Sequence, residues 1–209
     1  MRLFRTGDVA ALLGVHAATV REWDANGRLV ANRTVGGHRV YDLENILLAV
    51  KSWGLPDISA RLTDVCWAAG FLDGEGCFTV TQSLEVPRRD LPRITPRHRI
   101  VVDAVNTKRA PIEKLLSIFG GSIRLIVRKN PRHRPVWRWQ IGSERAVCCI
   151  RALRPFLVVK QEVADLVVEY AKTVKNVGCA GHTATTFSRR LEIVGKIRTL
   201  NARGQLLAG

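Results

Sequence analysis

The chain has 209 residues, 46% of them apolar, and a formal charge of +15. That allows one domain of ordinary size beside a small one, and the charge points to a polyanionic partner, nucleic acid before membrane, rather than a small-molecule substrate. Five cysteines without a CxxC pair and five scattered histidines speak against a structural zinc site and for free thiols in a reducing, cytoplasmic setting. No apolar run is long enough to span a bilayer and no secretory leader is evident, so no membrane partner is expected. The charge is uneven: residues 1–60 hold seven Lys/Arg against six Asp/Glu, and residues 61–209 hold twenty-six against twelve.

The chain opens with two short helices. Thr6 is placed to cap the first, which carries Val9, Leu12 and Leu13 and is broken by Gly14; the second spans about residues 17–25 and closes at Asn26-Gly27. A glycine turn between two short helices suggests a helix-turn-helix, with a plain helical hairpin as the alternative. Asp42 can cap a third helix through Ile46, Leu47 and Val50, stopped by Trp53-Gly54-Leu55-Pro56. These signals divide the chain into a head at residues 1–53, a linker at 54–61 and a larger domain at 62–209. The stretches Thr6-Gly7-Asp8-Val9-Ala10, Leu13-Gly14-Val15, Thr19-Val20-Arg21-Glu22-Trp23 and Gly36-Gly37-His38-Arg39 with Tyr41 resemble the DNA-reading head of MerR-like and excisionase-like proteins. The resemblance implies a winged helix-turn-helix. Thr19 and Arg21 would then face DNA from the second helix and His38 and Arg39 from the wing, with Val20 and Trp23 in the core. His16 stands where that family commonly has a Ser or Thr cap.

Residues 63–78 read TDVCWAAGFLDGEGCF. Thr63 and Asp64 suit the start of a helix. Cys66, Ala69, Gly70 and Asp73 recur at helical spacing and make a seam without bulk, against which another backbone can come close. Trp67, Phe71 and Leu72 are left to pack the other sides. Gly74 and Gly76 bracket Glu75 where the helix must end. By itself this pattern fits a core helix with a glycine cap and two surface acids as well as it fits a site. However, residues 67–76, Trp-Ala-Ala-Gly-Phe-Leu-Asp-Gly-Glu-Gly, resemble the signature of the LAGLIDADG homing endonucleases, with Ala68 where Leu is usual. That resemblance implies an α+β fold of αββαββα order, paired through the motif helix into a homodimeric saddle. It further implies divalent metal (Mg2+ or Mn2+) at Glu75 and Gly74, and a structural role for Asp73.

Downstream, Thr79, Thr81 and Ser83 alternate with Phe78 and Val80, as in a half-buried strand with one polar face. Arg88, Arg89, Arg93, Arg97 and Arg99 follow before a second strand (99–105); such a run reads by default as a solvated charged loop, and between two strands of a DNA enzyme it suits backbone and groove contact. After Asn106-Thr107-Lys108 comes an amphipathic helix (110–119), then Gly120-Gly121. A hairpin of strands 123–128 and 136–141 sets Arg124 and Arg128 on one face, and Arg138 and Gln140 opposite Trp137, Trp139 and Ile141. Positive side chains on one side of a twisted sheet suit a duplex groove. A helix at 143–153 leads into Leu153-Arg154-Pro155-Phe156-Leu157-Val158-Val159-Lys160-Gln161. This run is similar to the segment after the second strand pair in LAGLIDADG enzymes, which implies that Lys160 reaches the active site and that Thr107 lies near the attacking water. Residues 191–204 look like the family's C-terminal helix.

A single motif copy offers one Glu75, whereas metal-assisted hydrolysis of a duplex calls for two such carboxylates, so a homodimer on near-palindromic double-stranded DNA is expected. The implied function is a site-specific homing endonuclease that cuts both strands, leaves short 3′ overhangs and mobilises its host element. A transcription regulator with a catalytically idle nuclease fold and an RNA maturase assisting intron splicing are the alternatives. The charge division implies that residues 61–209 bind and cut alone, the head adding sequence preference.

Overall fold

The computed structural model describes residues 3–53, 59–84, 96–127, 130, 133–175 and 184–206. In the head, hydrophobic side chains at short spacing leave room only for short elements. These are β1 (Leu3–Arg5), α1 (Thr6–Leu13), α2 (Ala17–Ala25), β2 (Asn32–Arg33), β3 (Arg39–Asp42) and α3 (Leu43–Ser52). The strands form an antiparallel sheet in the order β1-β3-β2, with Phe4 opposite Tyr41 and Asn32 opposite Val40. Phe4, Val9, Leu12, Val20, Tyr41 and Ile46 are wholly buried, each such large side chain contributing roughly 1.5–3 kcal/mol. Thr6 is the first helical residue of α1 rather than its cap. The Asp8 carboxylate instead accepts from the Arg5 N–H at 2.8 Å, because a carboxylate one turn inside reaches back to the exposed donors of a helix start. His16 does cap α2, its Nδ1 accepting from Ala18 N–H at 3.3 Å, and Asp42 caps α3 through Asn45 N–H at 2.7 Å.

The chain forms two compact units, residues 1–71 with 148–158, and residues 72–147 with 159–209. The head is therefore grouped with the first part of helix α4 (Ser59–Glu75), the last turns of helix α6 (Ser143–Leu153) and a 3-10 turn at Arg154–Phe156. Helix α4 begins at Ser59, so Thr63 and Asp64 are interior positions and residues 59–61 of the expected linker are helical; residues 54–58 lie outside the described residues. Within this unit Phe4 meets Phe156 edge-on at 5.7 Å.

The second unit holds β4 (Gly76–Leu84), β5 (Pro96–Asn106), α5 (Arg109–Phe119), β6 (Ser122–Ile126), β7 (Val136–Gly142), α7 (Gln161–Lys175) and α8 (Ala184–Leu206), with the start of α6. Its antiparallel sheet runs β4-β5-β7-β6. Register puts Thr79 opposite Val101, Thr81 opposite Arg99, Asp103 opposite Gln140 and Arg124 opposite Arg138. Directly opposed residues share a face, so these side chains all lie on one side. Phe78, Val80, Val102, Trp139 and Ile141 lie on the other and are buried, with α5 packed on β5, β7 and β6, and α7 and α8 on β4. Trp139 donates through its indole N–H to the Gly120 carbonyl at 2.7 Å, and the Asn201 amide donates to the Phe78 carbonyl at 3.1 Å. Helix α7 has no counterpart among the sequence expectations, although Val163, Ala164, Val167, Val168 and Ala171 recur at helical spacing and are buried. Among the described residues no helix is long and apolar enough to cross a membrane.

Candidate nuclease site and nucleic-acid face

The site is built at the tip of α4. The helix ends at Glu75 and the chain turns directly into β4 at Gly76, where a Cβ would sit 2.6 Å from the Leu72 carbonyl oxygen, so only glycine permits the turn. The last carbonyls of a helix lack helical partners, which leaves the backbone at Gly74 available beside the exposed Glu75 carboxylate. Asp73 is half-buried and looks inward. Its carboxylate accepts from the backbone N–H groups of Val159 at 3.3 Å and Lys160 at 2.9 Å, which fastens the start of α7 to the motif. The Lys160 ammonium donates to the carbonyl of Asp73. Burial lowers the Lys160 pKa, an effect opposed by Asp73, then Cys77 and Glu75. Burial raises that of the Cys77 thiol, opposed by Lys160 and Arg138. Two of the expected site residues, Glu75 and Lys160, thus share one pocket of charge. Thr107 is exposed just past the end of β5, three positions beyond Ala104, which pairs with Gly76. Among the described residues no group of three His, Cys, Asp or Glu side chains stands ready to hold a metal.

Two of the four residues expected in the seam are already engaged within the chain. Ala69 is wholly buried inside its own chain, so it cannot meet a partner, and Asp73 is occupied by Val159 and Lys160. Cys66, Gly70 and Gly74 are exposed at spacings of four, and a Cβ on either glycine would meet nothing within 4 Å. Trp67 and Phe71 stack at 5.4 Å beside this ridge.

The polar face of the large sheet carries Thr79, Thr81 and Arg124, all at least partly exposed. Arg138 is on the same face, but its guanidinium donates to the Asp103 carboxylate, so it forms a neutral pair rather than a lone cation. Arg99, named in the sequence only as part of a charged run, is exposed on this face. Gly142 makes room for it, since a Cβ there would lie 2.6 Å from the Arg99 Nε. Ser83 pairs with Arg97 in the strand, its side chain outside the described residues, as are Arg88, Arg89 and Arg128.

In the head, Arg21 and His38 are exposed and Thr19 is half-buried. Arg39 departs from its expected role. Its Nε lies 2.5 Å from Asp24, whose carboxylate also accepts from Arg33 at 3.1 Å and from Ala31 N–H at 2.9 Å. Asp24 therefore pins the wing to the end of α2, and Arg39 holds the wing instead of reaching outward. A signal for this was present: an acid in the last turn of a helix opposes the helix dipole unless something else employs it.

The structure resembles that of the homing endonuclease I-CvuI in complex with its target in the presence of Ca, at 19% identity and a TM-score of 0.54, covering 68% of this chain and 83% of that one. It also resembles I-CvuI with the I-CreI target in the presence of Mg, the DNA not cleaved (18%, 0.52, 69% and 85%). A third neighbour is the archaeal intron-encoded homing endonuclease I-Vdi141I complexed with DNA (18%, 0.53, 67% and 85%). The MerR family regulatory proteins match residues 5–41. Comparison with the curated proteins gives no match. The fold is thus that of the LAGLIDADG homing endonucleases, preceded by a MerR-like helix-turn-helix.

Proposed function

We propose that the protein is a site-specific, metal-dependent endonuclease of the homing type that acts as a two-fold pair on double-stranded DNA and leaves short 3′ overhangs. The observation that carries this reading is the α4 tip: an exposed Glu75 beside an open Gly74, with the Lys160 ammonium held on the Asp73 carbonyl one residue earlier. The donor set fits a hard divalent ion such as Mg2+ (or Mn2+), which is commonly held by one or two carboxylates together with substrate phosphate oxygens and water. Glu75 and the Gly74 carbonyl would hold it. When bound, such an ion supplies Lewis-acid charge and a more acidic water. Lys160 would set its side-chain nitrogen beside the phosphate, where negative charge develops during hydrolysis, and Thr107 would order water at the same end of the sheet. Thr79, Thr81, Arg99 and Arg124 meet the duplex across the polar face, and Arg21, Thr19 and His38 do so from the head. One chain holds a single Glu75, so cutting both strands needs a second copy. The open ridge of Cys66, Gly70 and Gly74 is the surface that admits it, and an isologous pair implies a near-palindromic site.

The test is cleavage of a DNA library by the purified protein with Mg2+, the new ends being mapped. Double-strand ends with a fixed 3′ overhang, abolished by chelator, are expected. Glu75→Gln should bind but not cut, losing on the order of 10²–10³-fold or more in rate, and Lys160→Met should slow cutting strongly. The regulatory family matched by the head favours a second reading, a DNA-binding regulator whose nuclease fold only pairs and binds. On that reading wild type and Glu75→Gln give one footprint and neither cuts.

A further inference from the structure

One face of α3 and the turn after α2 leave a hollow inside the head. Ile46, Ala49, Val50 and Trp53 recur at helical spacing along α3 and its C-cap, and Leu13 from the end of α1 and Leu29 from the turn complete the apolar walls. With Trp23 and Arg28 these residues line a volume of about 160 Å³, and all of them belong to one compact unit. Leu29, Ile46 and Val50 are buried and Trp23 is half-buried, while Trp53 is 54% exposed and keeps the hollow within reach of solvent. Backbone bonds fix the rim. Leu29 N–H donates to the Trp23 carbonyl at 3.1 Å, Arg28 N–H to the Asn26 side-chain oxygen at 3.3 Å, and Trp53 N–H to the Ala49 carbonyl at 3.0 Å.

Arg28 is the one charged residue of the lining, and its guanidinium lies over the Trp53 ring at 5.2 Å. Arg33 and Arg39 are both held by Asp24, whereas among the described residues no carboxylate pairs with Arg28. A guanidinium stacked on an aromatic face keeps its N–H fork for bidentate contact with a carboxylate. An apolar cavity of about 150 Å³ takes one benzene, so the volume here suits a single six-membered ring. Two indoles in the lining favour an aromatic ring, whose edge and face they can match. Apolar walls with one well-placed polar group are the usual make-up of a small-molecule site. We propose that the head carries a binding site for a single-ring aromatic carboxylate, the ring among Trp23, Trp53 and the aliphatic walls and the carboxylate on Arg28. The site does not depend on the nuclease reading. Trp23 is carried by α2, so the bound acid would lie against the helix that bears Thr19 and Arg21.

The experiment is calorimetric titration of the full-length chain with three probes. Benzoate has ring and charge, benzyl alcohol has the ring alone, and acetate has the charge alone. Benzoate should bind once per chain with a dissociation constant on the order of 0.1–1 mM, as befits so few atoms, and at least about tenfold more tightly than either other probe. Arg28 and Trp53 are exposed, so their variants should fold. Arg28→Gln should weaken benzoate about tenfold or more and leave benzyl alcohol within about twofold. Trp53→Ala should weaken both ring-bearing probes, and Ala49→Phe, which fills the hollow, should abolish their binding. Absence of saturable benzoate binding overturns the proposal. So does benzoate binding that folded Arg28→Gln or Trp53→Ala leaves at wild-type strength, which would mark attraction to the basic chain at large. Equal affinity for benzoate and benzyl alcohol overturns it as well, since the carboxylate would then have no partner.

Discussion

The two antiparallel sheets use their arginines differently. In the head, Arg33 and Arg39 converge on Asp24, so cations beside the three-stranded sheet are consumed in holding the wing. On the four-stranded sheet, Arg138 is paired with Asp103, while Arg99 and Arg124 remain exposed on the polar face. The head carries almost no net charge and the rest of the chain nearly all of it. On the proposed function, non-specific DNA affinity would come from the large sheet, whereas the charges of the head are chiefly architectural, which would leave its reading to Arg21, Thr19 and His38.

The strongest way to break this comparison is to remove the head. Deleting residues 1–53 takes Asp8 from the buried Arg154, and breaking such a pair costs about 3–5 kcal/mol; the truncated chain is expected to melt far earlier and to lose cleavage. This reverses the sequence expectation that residues 61–209 act alone, and a truncated protein with wild-type melting and cutting would restore that expectation. Asp24→Ala comes next. It leaves Arg33, Arg39 and Ala31 N–H without their shared acceptor and should destabilise the protein by roughly 1–3 kcal/mol, while binding by the large sheet keeps its salt dependence. Denaturant titration and a salt series on DNA binding read the two effects separately.

Gly70→Leu tests the ridge on α4. The single chain has room for the side chain, and in a helix leucine is favoured over glycine by up to about 1 kcal/mol. The variant should therefore fold at least as well as wild type yet sediment as a monomer and fail to cut both strands. A variant that still sediments as a dimer shows that the pairing surface lies elsewhere. The smallest effect is expected of Arg124→Ala. Stability should change by no more than about 0.5 kcal/mol, binding should weaken alike across sequences, and the slope of affinity against salt should fall by about one. A loss confined to one base position would make Arg124 a reader instead.

Much of the architecture was legible because it is local. Alternation at Thr79, Val80 and Thr81 and at Trp137 to Ile141 reported strands and their faces, and Asp42 reported the cap of α3. The α4 tip was legible because glycine, acid and glycine at a helix end form a contiguous pattern that resembles a known signature. Where local cues were ambiguous they misled: Thr6 and Thr63 look like caps, yet one is the first helical residue of α1 and the other an interior residue of α4.

The sequence by itself determined the order of elements from α4 to α6, the polar and apolar faces of the strands there, and the carboxylate at the end of the motif helix, since each depends on neighbours within a few residues. Only the tertiary structure decided which charged groups stay exposed and which are already engaged. Arg39 meets Asp24 across 15 positions, Arg138 meets Asp103 across 35 and Arg154 meets Asp8 across 146. A pairing at such separations leaves no periodic trace, because it depends on how whole elements pack rather than on the spacing along any one of them. The same reason hid the burial of Ala69: helical spacing says which residues share a face, but only packing says which face is covered.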